Sequence, residues 1–464
     1  MSTQSGQGIG DYDNTPLQIA REVVERAACL DAQVEAYVEM SRTVTVKVFG
    51  GQVESVTVAE PRGVGIRAVK GGRTGYASTT VVDVEGIDSA VDGLKAHLQS
   101  ADEDPYAGLP TPTGDSPTPV DGLWSPGVVE MSLEQKTDLA LQTEAAALGL
   151  TGVEAVEEAV YSDEESRVAV VSSLGVEAEG RKSHGFVYAV AQAASKGEKQ
   201  TGLGYSMARD PGELDAGAAG REAATKALAL LGGKQCPRGT YDVVLDEAVA
   251  AALIASIAEA LSAEAVQKGR SVFAGRLGET VAPAGFTLTD DGLHPQGIAT
   301  SPFDGEGVPQ QRTVLVKGGV LQSYLYDSRA ARREGGGARS TGNASRSSYR
   351  SLPRLGASNL VVQVGSGSVE RLFSRVGSGL YVESVAGVHA GVNPVSGEIS
   401  LGVSGRLIEG GELGTPVREV TIATDFAGLL KGIVDLGGKA RWVPLYGSAY
   451  IAPMLVEGIA VSGE

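Results

Sequence analysis

Cysteine is nearly absent from this chain: of 464 residues only Cys29 and Cys236 carry thiols, and they lie far apart. Two distant thiols make a disulfide framework unexpected, and they are too few for a cysteine-rich zinc site. Histidine is almost as scarce. His97, His184, His294 and His389 are scattered, with no second histidine at helix or hairpin spacing, so a histidine-based zinc site within the chain is not expected. Aromatic residues make up 5% of the sequence, which leaves little material for large aromatic cores. No uninterrupted apolar run reaches the ~18 residues that a membrane-spanning helix needs. The opening MSTQSGQGIGDYDNT lacks a basic region followed by an apolar one, so no signal peptide is read there, and a cytoplasmic protein is the expectation.

Several signatures are missing as well. There is no G-x-S-x-G elbow, no G-x-G-x-x-G, no Walker loop, no H-E-x-x-H and no C-x-x-C. A Ser-His-Asp triad stays open, since its members meet only in space, but nothing singles out a serine. The net charge of −18 argues against nucleic-acid or anionic-membrane partners, because both require a positive surface.

What is abundant is glycine, with 64 residues. Gly-Gly pairs at 50–51, 71–72, 318–319 and 410–411 each separate alternating runs, which is the pattern of tight hairpins. The order of patterns predicts an α+β protein of two domains. The first, residues 1–235, is an N-terminal α/β domain with an antiparallel meander sheet flanked by helices. After a polar tail over 1–14, a helix opens at Pro16. Strands are expected at Val34–Met40, Thr43–Phe49, Val53–Val58, Gly63–Val69 and Arg73–Ser78, then a helix at Val84–Leu98. Residues 102–127, rich in Pro, Asp and Gly, read as a long surface loop. A helix at Leu133–Leu148 follows, then strands at Val153–Tyr161, Arg167–Ser172, Val176–Arg181 and Gly185–Ala193, and a helix at Leu214–Leu231.

The second domain, 236–464, is expected to be β-rich and barrel-like. Its first strand, Tyr241–Leu245, leads into a helix reaching Lys268, with Asp246 as N-cap and Val249, Leu253, Ile257 and Leu261 as the buried stripe. Glu259 falls on the opposite, solvated side. Later strands include Phe286–Thr289, Leu360–Val364 and Glu398–Ile408. The pairs Asp246-Glu247 and Asp290-Asp291 are explained by a helix start and a strand-ending turn.

Two stretches stand out as candidates for a site. Between Arg329 and Arg354 seven arginines face one acid, Glu334, in a Gly-rich segment that reads as irregular. That segment is either a solvated loop or a clamp for carboxylates, since guanidinium groups bind them bidentately. Arg332, Arg333 and the string Ser340, Thr341, Gly342 and Asn343 are its candidate peptide-binding or interface residues. The second stretch, Gly387–Gly411, places His389, Asn393 and Ser396 in a small-residue loop ahead of a hairpin. Hydrogen bonding inside the turn is the competing role for Asn393 and Ser396. No catalytic residue and no metal ligand is assigned in the chain.

The blocks GGQVESV (Gly50–Val56), RGVGIRAVKGGRTGYAST (Arg62–Thr79), YDSRAARREGGGARSTGNA (Tyr326–Ala344), GVNPVSGEISLGVSGRLIEGGEL (Gly391–Leu413), PVREVTIATDF (Pro416–Phe426) and LVEGIAVSG (Leu455–Gly463) resemble the TldD/PmbA family, and its PmbA (TldE) branch in particular. The resemblance spans nearly the whole chain. It implies a heterodimeric metalloprotease in which TldD-type and TldE-type subunits act together on unstructured peptides. In the TldD branch the first helix of the second domain carries His-Glu-x-x-x-His, and a C-terminal cysteine completes the zinc site. The matching window here, Ile254–Glu259, holds no histidine, and no cysteine follows Lys439. The resemblance therefore implies a zinc-free partner that completes the peptide channel, with zinc in a TldD-type subunit. Two other readings remain: a stand-alone peptide-binding or scaffold protein, and a homodimeric hydrolase with an unrecognised site.

Overall fold

The computed structural model describes residues 15–112, 114–363, 365, 367–445 and 447–463, and all counts below refer to these. The polar tail expected over 1–14 lies outside them, as does Val364 at the end of an expected strand. The architecture is α+β in two domains, as the patterning implied.

The first domain is built on a seven-stranded antiparallel sheet. Its centre is the long strand Gln33–Phe49, paired along one side with Val153–Ser172 and followed outward by Glu177–Ser195 and Glu198–Ala208. Along its other side, Gln33–Met40 pairs with Arg62–Lys70, and Thr43–Phe49 pairs with Gln52–Ala59. The sequence suggested two strands on either side of Ser41-Arg42. The chain runs straight through because only the neighbour changes there, with the Ser41 N–H donating to Pro61 O at 3.0 Å where one partner strand gives way to the next. Val153–Ser172 and Glu177–Ser195 likewise replace two expected strands each.

Side chains alternate across a strand, so the sheet has two unlike faces. Ala36, Val38, Met40, Val46 and Val48 point to one of them, where the helices Pro16–Arg26, Val84–Ser100, Leu133–Leu148 and Ala216–Ala229 cover it. Tyr37, Glu39, Glu164, Ser166, Lys182 and His184 point to the other, which meets the second domain. Gln52–Ala59 is an edge strand exposed along its whole length, with Val53, Val56 and Val58 facing solvent.

In the second domain Glu412–Asp425, Glu398–Glu409, Ser378–Ala386, Gly239–Leu245 and Met454–Ser462 pair in that order, and a further pairing between the last and the first closes them into a ring. Gly410 and Gly411, at φ 63° and 85°, make the tight return between two of these strands. A second, open sheet runs from Val320–Leu321 to Arg441–Val443. The helix Glu247–Ala260 packs into the shared core and stops eight residues short of the expected Lys268; a separate short helix, Ala263–Gln267, follows. The expected stripe Val249, Leu253, Ile257 and Leu261 is buried, but so are Ala250, Ala251, Ala252 and Ile254. A helix apolar almost all round belongs inside a core. Among the described residues no helix is long and apolar enough to cross a membrane.

The arginine-rich segment is partly regular. Ser328–Glu334 is helical, capped by Asp327, which accepts from Ala330 N–H at 2.7 Å, and ended by Gly335 at φ 70°. Its arginines brace the two domains. Arg329 pairs with Asp104 at 2.6 Å, and Arg332 donates to the carbonyls of Tyr106 at 2.8 Å and Gly108 at 2.7 Å. The Pro-rich stretch between the first and second helical pairs is thus tied down at these points. Arg346 reaches Glu35, which also accepts from Arg67 at 2.6 Å; Arg67 in turn pairs with Glu306 at 2.9 Å. All four groups are buried.

Two cations and two carboxylates balance in this network. Glu35→Ala leaves Arg346 buried without a carboxylate and Arg67 with Glu306 alone, and breaking a buried pair in this way costs about 3–5 kcal/mol. Urea denaturation is expected to show that loss; a decrease within 1 kcal/mol of zero would mean that the network does not brace the domains.

Candidate functional site

Two cavities lie between the polar face of the first sheet and the second domain, and a third continues the row within the second domain. The first, about 200 Å³, is lined by Ser166 and Lys182 from the sheet and by Thr300, Asp304, Asn343 and Ser358 from the second domain. The second, about 380 Å³, lies beside it against His184, Tyr205, Met207 and Arg209, with Trp442 and Tyr450 opposite. The third, about 200 Å³, shares Gly356, Ala357 and Ser358 with the first and is closed on its far side by Ala255 and Glu259 of the core helix and by Ser262, which caps the next helix. The row therefore runs from the end of helix Glu247–Ala260, past Asn343, to an aromatic chamber.

The wall between the first and third cavities is organised by Asp290. Its carboxylate accepts from Asn343 Nδ2 at 2.6 Å, from Ser358 N–H at 2.7 Å and from Ser358 Oγ at 2.9 Å. Burial pushes the acid up to about 6, and those donors hold it from rising further. The expected turn position of Asp290 is corrected here: it sits within the strand Leu288–Asp291 and is buried. Asp304, on the far wall, is raised by burial and by Glu306 beside it, and takes N–H bonds from Glu306, Val308 and Ala344.

At the boundary of the first and second cavities the chemistry turns basic. Lys182 and His184 project from the same face of one strand, and Arg209 follows the neighbouring strand. His184 is held down to about 4, first by burial and then by the charges of Lys182 and Arg209. Burial also lowers Lys182 and Arg209.

The residues singled out from sequence divide into separate groups. Asn343 lines the first cavity. Thr341 Oγ1 accepts from Tyr326 N–H at 2.7 Å and lies 2.6 Å from Asn343 Oδ1; Ser340 Oγ donates to Tyr326 O at 3.2 Å. Gly342, at φ 73°, packs where a Cβ would come within 2.6 Å of Pro309 O. These residues shape the loop that presents Asn343. Arg332 is turned to the carbonyls described above, and Arg333, exposed, donates to Gln267 O at 3.0 Å. His389, Asn393 and Ser396 lie on a different, exposed turn. There Asn393 Oδ1 accepts from Val395 N–H at 2.9 Å and Ser396 Oγ donates to Glu398 at 3.0 Å, and none of the three lines these cavities.

Lys182 and His184 were missed from sequence because 182–184 fell in the gap between two expected strands, and Arg209 because no strand was expected where Glu198–Ala208 runs. A signal was present: Arg181–His184 contains no Gly, Pro, Asn or Asp, so nothing in it asks for a turn. Among the described residues no group of three His, Cys, Asp or Glu side chains could hold a metal ion.

Three family profiles cover most of the chain: PmbA/TldA metallopeptidase domain 1 over 34–98, the central domain over 127–231 and the C-terminal domain over 238–463. A metalloprotease PmbA homolog of Haemophilus influenzae is 28% identical over 426 residues, covering 89% of this chain and 88% of that one. Among solved structures, a Thermotoga maritima protein described as a candidate modulator of a DNA gyrase is 27% identical with a TM-score of 0.86, covering 96% and 99% of the two chains. TldE from Thermococcus kodakarensis has the same fold, with a TM-score of 0.86 at 20% identity over 96% of this chain and 100% of that one.

Because the folded state resists protonation of His184, stability is present above the free-histidine value of 6.5 and is lost as pH falls toward about 4. The stability difference between wild type and His184→Gln is therefore expected to shift against the wild type by on the order of 2 kcal/mol between pH 7 and pH 4.5. Urea titrations of both proteins at the two pH values measure it; a difference independent of pH would remove the assignment.

Proposed function

The chain belongs to the PmbA/TldD metallopeptidase family, and from that premise we propose that it is the zinc-free, TldE-like subunit of a heterodimeric peptidase whose metal is held by a TldD-type partner. The observation that carries this reading is the core helix. The resemblance sets the zinc motif of catalytic relatives against Ile254, Ala255 and Glu259. Zinc takes three or four N, O or S donors at ~2.0–2.3 Å. Ile254 is fully buried among apolar neighbours, Ala255 has no donor, and Glu259 contributes a single exposed carboxylate. The residues present do not fit the metal, and no step of hydrolysis is assigned to this chain.

Its work in this reading is to hold substrate and partner. An unfolded peptide needs an extended path with backbone partners and side-chain pockets, and the row of cavities between sheet and second domain supports that role. The exposed edge of Gln52–Ala59, with Val53, Val56 and Val58 uncovered, supports assembly, since an edge strand left unpaired offers its backbone groups to another strand. The pair would work in the cytoplasm on unfolded peptides or peptide precursors.

Purification of the chain alone and with a TldD-type protein, with zinc analysis and a peptide-cleavage assay, tests the reading. The lone chain is expected to be metal-free and inactive, and the pair to carry zinc and cleave. Stoichiometric zinc with cleavage by the lone chain would sink the proposal. Val56→Lys, which places a charge on the edge strand, is expected to lower recovery of the pair by about tenfold or more; undiminished pairing would move the interface elsewhere.

A further inference from the structure

In a chain carrying 57 acids against 39 lysines and arginines, Lys182 in the lining of the first cavity and Arg209 in that of the second have, among the described residues, no carboxylate at ion-pair distance. Arg209 donates to carbonyl oxygens, to Ser183 at 3.4 Å and to Gly297. The acids that face Lys182 from neighbouring strands are Glu164 and Glu39. Burial raises both carboxyls, and Glu39 is taken up by the Tyr349 N–H at 2.9 Å. His184 stands beside the two cations, stacked on Phe186 with ring centres 6.4 Å apart. Crowding like charges in a low-dielectric cleft opposes folding, and an arriving anion relieves it.

The surroundings say what sort of anion fits. The chamber next to His184 and Arg209 is walled by Tyr205, Met207, Trp442 and Tyr450 and encloses about 380 Å³. Trp442 packs edge-on against His294, with centroids 4.9 Å apart, and its Nε1–H is buried without an acceptor. In the cavity on the Lys182 side, Gln310 Oε1 is buried without a donor. Unmet polar atoms on both sides of a pair of unpaired cations are features of a site built for a ligand rather than for packing.

We infer that Lys182 and Arg209 bind a carboxylate borne next to an aromatic or bulky apolar group, which enters the chamber between Tyr205, Trp442 and Tyr450. In an unfolded peptide the C-terminal residue has this chemistry, and so does an acidic side chain beside an apolar one. The inference rests on the peptide-holding role proposed above and adds the end of the peptide that this subunit reads. Charge-assisted hydrogen bonds supply the affinity, and the apolar chamber supplies the preference for a bulky neighbour.

The test uses the full chain and N-terminally labelled unfolded peptides ending in phenylalanine, as free acid, as C-terminal amide, and as amide with one internal glutamate. Fluorescence anisotropy is expected to show the free acid binding about tenfold or more tighter than the plain amide. Lys182→Met and Arg209→Gln should bring the acid down to the level of the amide and leave the amide unchanged, with Arg209→Lys restoring part of the loss. If the glutamate-bearing amide binds as tightly as the acid, the carboxylate comes from a side chain. Equal binding of acid and plain amide overturns the site and leaves the peptide-holding role standing. N-acetylphenylalanine, followed by NMR, separates the opposite case: its binding, abolished by Lys182→Met, in the absence of any peptide binding keeps the site and removes the peptide role. Lys182→Met should also unfold at a temperature no lower than wild type, because it relieves crowding; a clear loss of stability would show that Lys182 is paired for structure and would overturn the inference.

Discussion

Four buried charges hold this molecule in its working shape. Glu35 on the central strand receives Arg67 from the next strand and Arg346 from the second domain, while Glu306 receives Arg67 from the other side and the Ser328 N–H at 3.2 Å. Desolvating such groups is expensive, and their attraction repays it only when geometry and partners are complete. Here Arg346 also gives its Nε to Gly305 O at 2.7 Å and lies 4.8 Å from the Tyr37 ring. Those bonds tie the polar face of the sheet to the loops at 300–306 and 343–358. Arg346 itself lines the first cavity, so the network forms part of the cleft wall as well as bracing it.

The same network explains why the arginine-rich segment is not a free cationic arm. Guanidinium groups do find carboxylates, but Arg346 and Arg329 find Glu35 and Asp104 within the chain. Arg332 is spent on backbone carbonyls of the Pro-rich stretch. A segment that would be a poor structural element by itself becomes ordered because each of these cations is committed to the opposite domain. The helix Ser328–Glu334, too short to persist alone, is held by that commitment.

The fold was largely legible because hairpin glycines and strand alternation are local signals. The two-domain α+β arrangement, the β-rich character of the second domain and the buried face of the core helix follow from local patterns, whereas closure of the ring needs pairings such as Leu380 with Val243 that are remote in sequence. What was not legible depends on partners remote in sequence. Glu35, Arg67, Glu306 and Arg346 look like ordinary surface charges until separations of 32, 239 and 311 residues are closed. The run Asp163-Glu164-Glu165 reads as the end of a strand, yet Asp163 is buried against Lys136 at 2.6 Å and Glu165 is buried beside Arg181. Acids can stay inside a strand when the neighbouring helix and strand supply cations. Lys182 and His184 were hidden by the same error, since a strand cut in two leaves its most informative residues in an imagined turn; Arg209 was hidden because the strand Glu198–Ala208 before it was not expected. His389, by contrast, was conspicuous only because histidine is rare, and rarity alone says nothing about position.

The core helix and the cationic pair point in opposite directions, and the contrast is informative. Where catalytic relatives are implied to carry zinc donors, this chain has Ile254 and Ala255, and the helix has become ordinary core with apolar residues on nearly every side. A protein that had lost its role in substrate handling would be expected to relax the cleft in the same way, replacing Lys182 or Arg209 with residues that pack without penalty. Lys182 and Arg209 instead lie partly buried between the domains, without a carboxylate at ion-pair distance among the described residues, next to an aromatic chamber with an unmet indole N–H. Such an arrangement places two cations in a low-dielectric cleft at a cost, which a bound anion would offset. The metal site and the cleft are therefore separable features of one scaffold, and in the proposed reading this chain lacks the first and uses the second to hold peptide.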